Sequence, residues 1–89
     1  MEGLTKSAAI EAAERGVRVN AVAPGPIDTG MIDRFAGTTE MKAALIGTVP
    51  VHRLGTPVEI AESIFFLASD KAGFITGATL AADGGLAAV

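Results

Sequence analysis

The chain has 89 residues, seven Lys+Arg against ten Asp+Glu for a formal net charge of −3, 49% hydrophobic residues and no cysteine. That length suits one domain and not two. The scattered cations form no basic stripe for nucleic acid, no run reaches the ~18–20 apolar residues of a membrane span, and without thiols the expectation is a cytoplasmic protein with neither disulfides nor thiolate chemistry.

Glu2 to Arg15 reads as a helix. Leu4, Ala8 and Ala12 recur every fourth residue with Ala9 and Ala13 beside them, an Ala-rich contact stripe. Arg15 suits the carboxy-terminal dipole, and Gly16 supplies a stop that tolerates positive φ. No Ser, Thr, Asp or Asn precedes Glu2 to cap the first turn, which fits a helix that begins upstream of Met1.

Val17 to Ala23 is apolar and β-branched and ends at Pro24-Gly25-Pro26, which cannot continue a ladder, so it reads as a strand. A helix, a glycine turn and an apolar strand make half of an α/β crossover unit. From Pro24 to Thr56 glycines and prolines interrupt short apolar pieces, with room for short helices at Thr29 to Phe35 and Thr39 to Ile46. So long an irregular stretch inside a domain marks a binding loop or lid, or else an unstructured insertion.

Thr56-Pro57-Val58-Glu59 is a helix start, in which Thr56 caps the Glu59 amide, Glu59 reaches back and Pro57 takes the first helical position. Ile60, Ile64 and Leu67, with Ala61, Phe65 and Ala68, then form one apolar face up to Ser69, predicting a buried helix. A second strand is expected at Thr79 to Ala82, parallel to the first and joined to it by a right-handed crossover.

Four pieces in order carry a resemblance. They are Glu2-Gly3-Leu4-Thr5-Lys6-Ser7-Ala8, then Gly16-Val17-Arg18-Val19-Asn20-Ala21-Val22-Ala23-Pro24-Gly25, then Arg53-Leu54-Gly55-Thr56-Pro57-Val58-Glu59-Ile60-Ala61, and last Ile75-Thr76-Gly77-Ala78 through Asp83-Gly84-Gly85. In order and spacing they resemble the carboxy-terminal end of short-chain dehydrogenase/reductases. The resemblance implies an α/β fold: the last two strands, with flanking helices, of a Rossmann-like doubly wound parallel sheet. Residues 1–89 would be the carboxy-terminal part of one such domain, with a lid region at about 29–50.

The junction from Pro24 to Thr29 would lie beyond the carboxyl end of a strand, where open parallel sheets bind ligands. On the residues alone a plain stiff turn remains open. By resemblance, Pro24 and Gly25 shape a wall beside NAD or NADP, the Ile27 backbone meets the nicotinamide carboxamide, and the Thr29 hydroxyl binds the carboxamide or a nearby phosphate oxygen. Met31, Ile32 and Phe35 would belong to the lid over a small-molecule alcohol or ketone; a core stripe is the competing reading.

Asn20, inside a strand, is expected to tie neighbouring loops together. His52 reads as a loop residue without a metal-ligand or dyad partner, and Asp28, Asp33 and Glu40 as a solvated face. The resemblance implies a Tyr-x-x-x-Lys motif, and Lys6, with no tyrosine four residues earlier, is not its catalytic lysine; the chain has no tyrosine and no Gly-rich dinucleotide turn of the kind the family carries. No catalytic residue is therefore assigned. Two readings follow: a carboxy-terminal fragment of an NAD(P)-dependent oxidoreductase, inactive alone and from an oligomeric family, or a non-catalytic module that associates with copies of itself.

Overall fold

The computed structural model describes residues 2–29 and 39–88. Helix α1 spans Glu2–Ala13, and Gly16, at φ 73°, reverses the chain. The Gly16 amide donates to the Ala13 carbonyl and the Val17 amide to Ala12, which is the Schellman arrangement expected when glycine follows a helix. The inward face keeps Ala9 of the expected stripe but not Leu4. Thr5 and Ala9 are buried while Leu4 is 77% exposed, because Ala9 is the residue that meets Gly77 on the neighbouring loop.

Strands β1 (Ala21–Pro24) and β2 (Thr79–Ala82) pair in parallel, Ala21 opposite Thr79 and Pro24 opposite Ala82. β2 falls where the sequence puts it, whereas β1 starts four residues later than Val17. Ahead of Ala21 the chain is held by other means. The Val19 amide donates to Thr76 Oγ1 at 3.1 Å, and the Asn20 side chain donates to the Ile75 carbonyl at 3.0 Å while accepting from the Ala78 amide at 3.0 Å. Asn20, half-buried, therefore has the loop-tying role expected of it, its amide satisfied on both sides.

Helix α2 spans Thr39–Thr48, and α3 spans Pro57–Ala68. The start of α3 is the full capping box: Thr56 Oγ1 accepts from the Glu59 amide, Glu59 accepts from the Thr56 amide, and Pro57 opens the helix. At its other end the Arg18 guanidinium donates to the carbonyls of Leu67 at 2.6 Å, Ser69 at 3.1 Å and Ile75 at 3.4 Å. A fixed cationic fork suits the negative end of a helix and the carbonyls that lack helical partners there. Arg18 thus joins β1, α3 and the segment leading to β2.

The expectation of a buried α3 does not hold within this chain. Only Leu67 is buried, and Ile64, Phe65 and Phe66 are exposed. The radius of gyration, 15.7 Å, exceeds the ~12 Å of a compact domain this long, so apolar faces that composition marks as interior stand at the surface. Among the described residues the buried apolar side chains are few: Ala9, Val49, Leu54, Leu67 and Ala72.

Candidate functional site at the mouth of the parallel strands

The turn from Pro24 to Thr29 leaves the carboxyl end of β1. Pro24 is exposed and closes the ladder against Ala82, and the Gly25 amide adds one more bond to the Ala82 carbonyl at 3.1 Å. Gly25 backs onto Asp83, since a Cβ here would stand 2.7 Å from both Cα and Cβ of that residue. The close approach this glycine permits is thus to the chain itself. Asp83 is fixed in turn, its two carboxylate oxygens accepting from the amides of Gly85 and Ala87 at 3.0 Å each.

Beyond Gly25 the chain forms a second, one-residue parallel bridge, Ile27 with Gly55. The Gly55 amide donates to the Pro26 carbonyl at 3.0 Å and the Asp28 amide to the Gly55 carbonyl at 2.8 Å. In a parallel bridge of this pattern the N–H and C=O of Ile27 itself point away from Gly55. Neither has a hydrogen-bond partner among the described residues. A primary carboxamide needs one donor and one acceptor side by side, which is what this half-buried stretch of backbone presents. Thr29 follows, exposed. Lys42 of α2 lies 3.9 Å from the Asp28 carboxylate. Met31, Ile32 and Phe35 lie outside the described residues.

The start of α3 carries a feature the sequence reading missed. Arg53 and Glu59 form a two-pronged ion pair, with Nη1 to Oε1 and Nη2 to Oε2 both 2.8 Å, and Nη1 also donates to the Leu54 carbonyl at 3.1 Å. The spacing 53 to 59 gave no signal because Glu59 was already accounted for as a cap. The bond from Arg53, together with the Thr56 amide, holds the Glu59 carboxyl down at about 2 from an ordinary 4.5. Glu59 and Arg53 support each other's charged forms. A folded-state value below the unfolded one means the stabilisation is complete above about 4.5 and lost as pH falls towards about 2. A carbon-detected NMR titration is expected to place the Glu59 midpoint near the lower figure, and an ordinary midpoint would show the pair unformed in solution.

His52 is exposed with φ 57°, a turn residue. No three His, Cys, Asp or Glu gather to hold a metal among the described residues, and no helix there is long and apolar enough to cross a membrane.

Two parallel strands with α3 packed on them, and a turn leaving the carboxyl edge of β1, are part of an α/β sheet. The chain belongs to the short-chain dehydrogenase/reductase family: the family model described as Enoyl-(Acyl carrier protein) reductase matches residues 1–87. It is 49% identical over 83 residues to acetoacetyl-CoA reductase of Rhizobium meliloti, covering 93% of this chain and 34% of that protein. It is 51% identical over 84 residues to a 3-oxoacyl-(acyl-carrier-protein) reductase of Haemophilus influenzae, covering 94% and 34%. The chain thus spans about a third of the length of the curated relatives it matches.

Among solved structures, a short-chain dehydrogenase family protein of Francisella tularensis superposes with a TM-score of 0.89 at 37% identity, over 99% of this chain and 40% of that one. A putative 2-deoxy-D-gluconate 3-dehydrogenase of Agrobacterium tumefaciens with bound NADP gives 0.89 at 38% identity, over 99% and 36%. A 4-hydroxyisoleucine dehydrogenase complexed with NADH gives 0.90 at 33% identity, over 99% and 36%. The fold is therefore part of a Rossmann-like α/β sheet, and nicotinamide dinucleotides are the cofactors of such relatives.

Proposed function

We propose that the chain is the carboxy-terminal part of an NAD(P)-dependent oxidoreductase acting on a small alcohol or ketone, in which it forms the nicotinamide-side wall and the substrate lid. The observation that carries this reading is the turn from Pro24 to Thr29, pinned at the carboxyl edge of β1 with the Ile27 N–H and C=O turned outward. Those two groups fit the oxygen and the amino group of a carboxamide, and Thr29 supplies a hydroxyl beside them. A bound nicotinamide would supply or accept the hydride. The chain's own contribution is to orient that ring and keep one face of it dry, with Met31, Ile32 and Phe35 covering the substrate. A cytoplasmic, oligomeric enzyme belongs to the same proposal.

In the family this chain resembles, a tyrosine serves as the general acid and base of hydride transfer, and this chain has none. The 89-residue chain alone is expected to give no carbonyl-dependent oxidation of NADH or NADPH, and turnover would refute that expectation. Replacing the last third of the Haemophilus influenzae relative with this chain is expected to give an active chimera. In it, Ile27→Pro removes the outward donor and raises the cofactor KM roughly tenfold. An active chimera indifferent to Ile27→Pro would remove Ile27 from the site.

A second reading, a non-catalytic module that associates with its own copies, is favoured by Leu4, Ile10 and Phe65, each about three-quarters exposed, and by a fully exposed Phe74. Sedimentation as a monomer at micromolar concentration would exclude it.

A further inference from the structure

The ion pair between Arg53 and Glu59 sits on neither strand, yet it stands two residues from the bridge that holds the candidate cofactor turn. Arg53 fixes the segment on one side of Gly55 through Glu59 and the Leu54 carbonyl; Thr56, capped by the same Glu59, fixes it on the other. Gly55 is thus immobilised from both flanks, and its amide and carbonyl are the groups that grip Pro26 and Asp28. We propose that Arg53 and Glu59 act as a positioning clamp, setting through Gly55 where the backbone of Ile27 stands at the mouth of the strands. The cofactor consequence rests on the function proposed above; the clamp itself does not.

Exposure is what separates positioning from stability here. Both side chains are about half exposed, and such pairs add little to global stability. Their geometry still matters, because two parallel bonds from a planar fork to a carboxylate fix direction as well as distance. Among the described residues, the other charged groups near this corner are Glu62 of α3 and Asp83 beyond β2, which line the same hollow as Arg53, and Asp28 with Lys42 across the bridge. Asp83 is engaged by two amides.

Amide hydrogen exchange on the 89-residue chain, expressed as protection factors, tests the clamp without any cofactor. The reporters are the amides of Asp28 and Gly55, with Ala21 and Gly25 in the ladder between β1 and β2 as internal references. Glu59→Gln retains an acceptor for the Thr56 amide and so preserves the helix cap while removing the charge. It is expected to lower protection at Asp28 and Gly55 about fivefold, leaving the references within a factor of two. Arg53→Gln should match it, and Arg53→Lys, with charge but no fork, should recover part of the loss.

Acidification of the unaltered chain from pH 5 to 2 is expected to reproduce the selective loss, and Glu59→Gln should abolish that pH dependence at the two reporters. An equal fall at all four amides, no fall, or no protection at any of them overturns the clamp. Failure of the chimera with a selective loss at Asp28 and Gly55 would sink the cofactor reading alone.

Discussion

Gly25→Ala is expected to destabilise the chain by about 2–3 kcal/mol, towards the upper end of the cost of forcing extra atoms into a filled space. The new methyl would stand 2.7 Å from Cα and Cβ of Asp83 and 3.2 Å from its carbonyl oxygen. None of these is the far end of a flexible side chain, so relief requires backbone movement. The amide of the same residue bonds the Ala82 carbonyl, and Asp83 holds the turn after β2, so movement on either side disturbs the mouth of the sheet. A urea midpoint followed by circular dichroism measures the loss. Gly3→Ala is the control: nothing lies within 4 Å of its added methyl, and alanine favours a helix, so its midpoint should hold or rise. Equal midpoints for both variants would mean that Gly25 and Asp83 are not in contact in solution.

Arg18→Ala should cost a comparable amount, about 2–4 kcal/mol. The variant leaves the carbonyls of Leu67, Ser69 and Ile75 without their cationic donor, and hydrogen bonds to charged groups contribute roughly 1.5–3 kcal/mol each without adding fully. Arg18→Lys is expected to recover less than half, because a point ammonium on a flexible stem cannot reproduce a planar fork reaching two helix-end carbonyls. Thermal unfolding of the three proteins decides the order. A lysine variant equal to the unaltered chain would reduce the role of Arg18 to charge alone.

The capping box at Thr56 and Glu59 was legible in the sequence because its parts lie within four residues and the rule behind it is local. The Gly16 stop was legible for the same reason, as was β2, bracketed by Gly77 and Gly84. Features made by residues far apart were not. Arg18 reaches a carbonyl 49 residues away, and nothing in its neighbourhood announces a helix end as its target. The face of α1 was misjudged at Leu4 because composition reports which residues are apolar, while the direction of burial is set by the partner, here Gly77 opposite Ala9.

For the candidate site, the sequence located the turn from Pro24 to Thr29 and the family motifs around it. It did not disclose the bridge from Ile27 to Gly55, which depends on a loop that returns almost thirty residues later, nor that Gly25 serves a contact with Asp83. The buried α3 was predicted from an apolar face that this chain leaves bare, since a hydrophobic stripe states a requirement for cover without saying where the cover comes from.

The pairing of Ala21 with Thr79 also bears on how the chain is made. Synthesis delivers β1 long before β2, so no rung of this ladder can form until residues 79 to 82 have been added, and closure must then bridge a wide contour of chain. Throughout that interval the edge of Ala21 to Pro24 that will receive β2 stands unoccupied, open to capture by holdase chaperones or by strands of other nascent polypeptides.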